Sequence, residues 1–384
     1  MESRESREYV EYRENHYDDE LRRRLYLAYE EARKHKRGTE DEVDFEMHLY
    51  ENLELLFLEI KNRTYKPSRG IAFVVLVPVI REIFAAPFRD RVVHHLLYDD
   101  MVPWLDKRLH PDAASCRVGK GTYYEIMRME KKMRQCSRNF TRKIYVAKFD
   151  IQGYFMSMSR PKLFEKVKWA LNRQYPEKNY HYHTLEFLWR QVIFDNPIDG
   201  VKKRGARWKW EILPRSKSLF HQPAQRGIVI GNLSSQLLSN LFLDSFDRFV
   251  VFDLGFKYYG RYVDDFYIIV TEKELPRLKR SVPTIEMALA ELGLKLHPNK
   301  RSLQEANKGA EFLGTRVYPR RIIPGRRIRR NFYKCLEKFQ SGQKTDIEPI
   351  ISYLGLMSKY NSDKQIAKIF RKFGLNYNFK REVD

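Results

Sequence analysis

Residues 256–270 read FKYYGRYVDDFYIIV. Two runs rich in aromatic and β-branched residues flank Asp264 and Asp265, which predicts two strands joined by a turn. A plain β-turn tolerates aspartate, but Asn-Gly or Asp-Gly is the favoured pair and Asp-Asp is a poor one. Two ionised carboxylates about 4 Å apart repel by about 4 kcal/mol at an effective dielectric of about 20. A divalent cation relieves that repulsion and makes use of it.

Moving outward, residues 144–149, IYVAKF, predict a strand that ends on Asp150, followed by Ile151-Gln152-Gly153-Tyr154-Phe155. An acid at one strand end and an acidic pair in a hairpin together suit two Mg²⁺ ions. Magnesium takes few carboxylates, several waters and substrate phosphate. Two such ions about 3.5–4 Å apart activate a hydroxyl and stabilise a leaving pyrophosphate, which is what nucleotidyl transfer requires.

The rest of the chain frames these strands. Residues 1–62 carry apolar residues at helical spacing, including Leu21, Leu25, Ala28, Leu53, Leu56, Phe57 and Ile60, and a break at Arg37-Gly38-Thr39 predicts two helices. Residues 71–84, with Pro78, predict two short strands or a hairpin, and residues 87–109 a helix opened by Pro87. The loop from Ser115 to Thr122 surrounds Lys120 with two glycines. It lacks the P-loop spacing, so a phosphate-holding loop and a plain turn before a helix at 122–136 both stand. Helices are expected over 161–194, 232–252 and 273–292, a short strand near Leu294–His297, and a strand pair over 310–324. Residues 195–226 read as a loop with eight Lys+Arg against three Asp+Glu, either solvated or touching nucleic acid. Its Trp208 and Trp210 are suited either to stacking on bases or to packing the loop. The tail from Arg326 is basic and helical in pattern.

Composition narrows the function classes. The 384 residues contain 72 Lys+Arg and 50 Asp+Glu, a net charge of +22, which points to a polyanionic partner, nucleic acid first. The first 50 residues oppose the trend, with 10 Lys+Arg against 15 Asp+Glu. A content of 43% hydrophobic residues argues against wholesale disorder. No apolar stretch is long enough to span a membrane, the N-terminus lacks an apolar signal core, and a cytoplasmic location is expected. Three dispersed cysteines, Cys116, Cys136 and Cys335, exclude a disulfide scaffold and a cysteine-rich zinc site. His94-His95 and His181-Tyr182-His183 have no matching ligands and read as core or solvated histidines.

Tyr262-Val263-Asp264-Asp265 resembles the Tyr-x-Asp-Asp motif of reverse transcriptases, and Asp150 to Phe155 resembles their preceding metal-binding motif. The resemblance extends over roughly 65–335 and implies an α+β right-hand polymerase fold. Its parts would be an N-terminal helical region (1–62), fingers (63–143), a palm of antiparallel sheet backed by helices (144–324) and a helical basic thumb (325–384). It implies RNA-directed DNA synthesis from an RNA template, a DNA or RNA primer and dNTPs. Asp150 and Asp264 would be the main metal ligands, with Asp265 contributing less and Ile151 offering its carbonyl. Phe155 would block a ribose 2′-OH, Arg81 would grip the triphosphate, and Tyr262 would lie at the substrate. Lys300, with Lys295 as rival, would protonate pyrophosphate. Arg89 and Arg91 resemble finger residues, and Phe312-Leu313-Gly314 resembles the primer-gripping hairpin. Lys120, Arg326, Arg327, Arg329 and Arg330 would sit on nucleic-acid phosphates.

One segment discriminates among reverse transcriptases. Most show Gln-Gly-x-x-x-Ser-Pro where this chain has Ile230-Gly231, then Ser235-Gln236. That form resembles the enzymes of diversity-generating retroelements, which copy a template-repeat RNA with errors at adenines and work with a basic pentameric accessory protein. Ile230, Gly231 and Gln236 are then substrate-facing candidates. A retron, intron-like or antiphage-defence reverse transcriptase, an RNA-dependent RNA polymerase and a non-catalytic RNA-binding scaffold are the competing readings.

Overall fold

The computed structural model describes residues 4–34, 38–77, 79–343, 346–360 and 362–375, with side chains from residue 16 onward. The N-terminal residues form three helices rather than two: α1 (Arg4–Arg33), α2 (Glu40–Met47) and α3 (Leu49–Lys61). His48, with φ −128° and ψ 44°, is the additional break. Of the predicted break, Gly38 takes φ 80°, whereas Arg37 lies outside the described residues. The hairpin forms as β1 (Ile71–Val75) and β2 (Arg81–Ala85), with Pro78 outside the described residues. Helix α4 (Phe88–Leu105) follows Pro87, and α5 (Thr122–Cys136) precedes β3 (Ile144–Asp150).

A single turn, α6 (Tyr154–Ser157), leads to α7 (Arg160–Gln174) and α8 (Tyr180–Phe194). Asn179 caps α8 by accepting the Tyr182 N–H at 3.0 Å. The 195–226 segment is more ordered than a loop. It holds β4 (Lys202–Arg204) and α9 (Arg207–Glu211). Helix α10 (Leu233–Arg248) ends earlier than its apolar pattern suggests and loosens into a π-turn over Phe249–Asp253.

Strands β5 (Tyr259–Tyr262) and β6 (Asp265–Thr271) then flank the acidic pair, followed by α11 (Leu275–Glu291). The strand expected near Leu294–His297 is only one bridge, Leu296 to Ile151, and the true strand is β7 (Ser302–Glu305). Residues 310–324 give three strands, not two: β8 (Ala310–Phe312), β9 (Thr315–Tyr318) and β10 (Arg321–Pro324). Leu313-Gly314 makes the additional turn, with φ 46° and 80°. The tail folds as α12 (Arg326–Gln340), α13 (Glu348–Ser358) and α14 (Asp363–Lys372).

These elements divide into two units. The first comprises 1–116, 151–248 and 286–296. Its α1 buries Leu21, Leu25, Ala28, Tyr29 and Ala32 on one stripe and packs on α3 and α4. The rings of Tyr29 and Phe45 meet Phe88 at centroid distances of 6.2 and 5.3 Å. The hairpin sheet runs β2-β1-β4, with β4 parallel to β1 at the edge.

The second unit comprises 117–150, 249–285 and 297–384. Its central sheet has the order β5-β6-β3-β7, all antiparallel. One face of that sheet contributes Ile144, Val146, Tyr267 and Ile269 to a core shared with Ile126, Met129 and Met133 of α5 and Phe312 and Val317 of the β8–β10 sheet. A separate core around Phe332, Leu336, Met357 and Ile366 joins α12, α13 and α14. Among the described residues no helix is long and apolar enough to cross a membrane.

Candidate active site

Side chains alternate along a strand, so Ile144, Val146, Lys148 and Asp150 share one face of β3. Cross-strand pairing sets Asp150 opposite Asp265, Lys148 opposite Tyr267 and Val146 opposite Ile269. The apolar part of this face is core, and its end carries two carboxylates. Tyr262 pairs with Asp265, leaving Val263 and Asp264 as a two-residue loop. Asp265 therefore opens a strand, and only Asp264 of the acidic pair is a turn residue.

The first loop position, Val263, has φ 58°. Glycine adopts that conformation freely, whereas a β-branched residue there stores about 1–3 kcal/mol. The fully buried Arg261 donates from Nη1 to the Val263 carbonyl at 3.0 Å and so holds the turn that presents Asp264. Behind the hairpin, the Tyr267 hydroxyl donates to Glu125 Oε1 at 2.8 Å. Only a glycine fits opposite Tyr267, because a Cβ at Gly260 would lie 2.3 Å from Glu125 Oε1 and 2.5 Å from the Tyr267 hydroxyl.

The electrostatics are those of crowded, poorly hydrated acids. Burial, then the charges of Asp265 and Asp150, push the Asp264 carboxyl up to about 6. Burial also raises Asp265; the Lys148 and Lys300 ammonium groups oppose that rise and the Asp150 charge adds to it. Lys300 donates from Nζ to Asp150 Oδ2 at 2.7 Å. Burial alone would lower the Lys300 pKa, but the Asp150 hydrogen bond and the three carboxylate charges raise it. Lys300 and Lys148 offset only part of the negative charge, and Asp264 and Asp265 both stay raised. Among the described residues no three His, Cys, Asp or Glu side chains close into a ready-made metal cage. Asp150 and Asp265, paired across the strands, offer carboxylate oxygens of the kind magnesium takes together with waters and substrate phosphate.

Other sequence candidates of this unit lie around the sheet. Tyr262 accepts a hydrogen bond from Thr122 Oγ1 at 3.1 Å. Lys120 closes a turn, its N–H donating to the Arg117 carbonyl at 3.1 Å, and Gly121, with φ 150°, leads into α5. Arg326, Arg327, Arg329 and Arg330 fall in the first turns of α12, with Arg326, Arg327 and Arg330 exposed. Lys148, Arg261 and Val263 were not singled out by sequence. The one available signal was Val263, a β-branched residue in a predicted tight turn.

In the first unit, backbone hydrogen bonds anchor two of the candidates, Phe155 and Ile230. The Ile228 N–H donates to the Phe155 carbonyl at 2.9 Å, and the Phe84 N–H donates to the Ile230 carbonyl at 2.9 Å. Gly231 is required there: its φ is 135°, and a Cβ would lie 2.3 Å from the Phe84 carbonyl oxygen. Arg81 opens β2 and is exposed, as is Gln236, while Phe155 and Ile230 are half-buried. Ile151 is buried, and beside it the Gln152 N–H donates to the Lys295 carbonyl at 2.9 Å. Arg89 and Arg91 serve the fold instead: Arg89 pairs with Glu59, and Arg91 donates to the Ala86 carbonyl at 2.9 Å. His94 is buried against Ser234 Oγ at 2.8 Å, and His181 lies 3.0 Å from Asp100 Oδ1, so both act in packing.

Residues 80–317 match the family described as reverse transcriptase (RNA-dependent DNA polymerase). No curated protein matches the sequence. Among solved structures, the chain is similar to telomerase from Candida albicans in complex with the TWJ fragment of telomeric RNA. That likeness has 13% identity and a TM-score of 0.48, and it covers 82% of this chain and 55% of that one. It is also similar to the corresponding Candida tropicalis complex, at 12% identity and a TM-score of 0.46, covering 83% of this chain and 56% of that one. The chain thus spans little more than half the length of each telomerase. With more than half of its own 384 residues inside the family match, the chain belongs to the reverse transcriptases, RNA-directed DNA polymerases of the nucleotidyltransferase class.

Proposed function

We propose that this chain is the reverse transcriptase of a diversity-generating retroelement, copying a template-repeat RNA into adenine-mutagenised cDNA. The observation that carries this reading is the segment from Ile230 to Gln236. Ile230 is tied through its carbonyl to Phe84, and Gly231 brings backbone to within a side chain's width of the same strand. A glutamine at position 230 would supply hydrogen bonds that a mispair strains. Isoleucine supplies only shape, so the penalty for a mispair is smaller.

In this reading the fingers are 63–143, the palm 144–324 and the thumb 325–384, after a helical region over 1–62. Family members use divalent metal ions and bind RNA templates; here two Mg²⁺ ions are proposed, with Asp150, Asp264, Asp265 and the Ile151 carbonyl as their protein ligands. When bound, these ions lower the pKa of the primer hydroxyl and neutralise charge on the triphosphate. The chain's own groups do the rest. Lys300 holds a proton beside Asp150 for the leaving pyrophosphate, Arg81 binds the triphosphate, and Phe155 excludes a 2′-OH. Lys120 and the α12 arginines hold backbone phosphates. A basic pentameric accessory protein is the proposed partner, with the acidic first 50 residues as its docking candidate.

Primer extension on RNA with Mg²⁺ and dNTPs, followed by sequencing of the product, tests the reading. Errors concentrated at template adenines are expected, and Ile230→Gln is expected to lower them. An error spectrum unchanged by Ile230→Gln removes that residue's role. Efficient use of rNTPs removes the role of Phe155. A template repeat and a mutated variable repeat beside the gene are expected, and their absence counts against diversification.

A further inference from the structure

We propose that Lys202–Ile212 is a platform for single-stranded RNA, with the Trp208 indole as its stacking face and Lys202, Arg204 and Lys209 on the phosphates. Residues 202–217 hold seven Lys+Arg and one acid, Glu211, which pairs with Arg207 at 3.0 Å. All three residues of β4 are exposed, and α9 buries none of its five. The two tryptophans of α9 have different fates. Trp210 donates from Nε1 to the Arg204 carbonyl at 3.3 Å and meets the Phe220 ring edge-on at 5.9 Å. Trp208, two residues earlier, is 51% exposed.

The residues around Trp208 anchor the segment. Lys203 lies 3.8 Å above the Phe220 ring and 5.0 Å from that of Trp210. The buried Glu82 carboxylate accepts from Ser218 Oγ at 2.8 Å and from the Leu219 N–H at 2.6 Å, pinning the far end of the segment to β2. Val201, Trp210 and Phe220 pack on Ala72, Phe84 and Leu219, a small core that Ile230 also joins. A half-exposed indole among cations, beside a packed anchor, is what unpaired bases require: a face for stacking and charge for the backbone. A duplex presents stacked bases and gains only from the charge. That the strand is the unpaired part of the template rests on the polymerase reading; the binding itself does not.

The test is binding of labelled oligo(U) and of a duplex RNA of the same length to the full chain, without nucleotides, across a salt series. Trp208→Ala is expected to weaken oligo(U) binding about tenfold and duplex binding much less, with Trp208→Phe restoring most of the loss. Changing Lys202, Arg204 and Lys209 together to serine is expected to reduce the salt slope for oligo(U) by about 2. Equal losses for oligo(U) and duplex, no loss with Trp208→Ala, or displacement of RNA by polyglutamate as readily as by unlabelled RNA each overturn the platform. Because no synthesis is read, a chain inactive in primer extension that still shows the Trp208 effect keeps the platform while losing the polymerase reading.

Discussion

The carboxylate end of β3 and β6 and the segment from Lys202 to Ile212 both concentrate charge, and they are built in opposite ways. Asp150 and Asp265 continue rows whose other members, Val146 and Ile269 among them, are core. Their charges are crowded and poorly hydrated, and surrounding structure enforces the crowding: Arg261 holds the Val263 carbonyl, and Gly260 leaves room for Glu125 and Tyr267. Lys202, Arg204 and Arg207 are exposed on elements with no buried residue of their own, anchored from one side by Trp210 and Glu82. The carboxylates are held crowded by the fold, whereas the cations of β4 and α9 are only displayed. Substitutions in the first region are therefore expected to be costly and in the second cheap for stability.

The largest expected effect is Asp264→Asn. Primer extension should fall on the order of 10³-fold, with RNA affinity nearly unchanged. Intact synthesis would break the comparison at its root. Gly260→Ala comes next: its Cβ meets Glu125 and Tyr267, so thermal or denaturant unfolding should report about 1–3 kcal/mol of lost stability. A neutral result would mean that the support behind the hairpin is soft.

The third effect is a pH dependence. The folded Asp264 pKa of about 6 lies above the usual value of a free aspartate, so between these values the folded state binds more protons than the unfolded state. In the presence of a chelator, wild-type stability should therefore fall as pH rises from about 4 to about 6. The loss attributable to this group is about 2 kcal/mol relative to Asp264→Asn. Divalent cation should restore the loss at neutral pH. A wild-type curve parallel to that of the variant would remove the strained-acid account. The smallest effect is Trp208→Ala, which should change unfolding stability by less than about 0.5 kcal/mol. A larger loss would mean that Trp208 is structural after all and that the contrast between the regions is overstated.

What could be read from sequence follows from what local pattern encodes. The β5–β6 hairpin, β3 with its terminal Asp150, and helices α7 and α8 were legible because period and turn chemistry are local. The register that faces Asp150 with Asp265 was not, since pairing across more than a hundred residues is decided by shared core. The β4 strand escaped because Lys-Lys-Arg has no strand signature; it forms by pairing with β1. The strand expected at Leu294–His297 failed because only Leu296 finds a partner, in Ile151. Lys300 was legible through a motif, but its hydrogen bond to Asp150 needed the fold. Arg261 was invisible because a buried arginine in a strand looks like any surface cation until its carbonyl partner is known.

Strand β4 ends the hairpin sheet with three consecutive cations, all exposed. A free sheet edge invites pairing with the edge of another molecule, and like charges there forbid it. Lys202 and Arg204, proposed above for RNA contact, would thus also oppose edge-to-edge stacking of copies of this chain. The cationic edge would therefore guard the chain against edge-to-edge aggregation whether or not RNA is bound there.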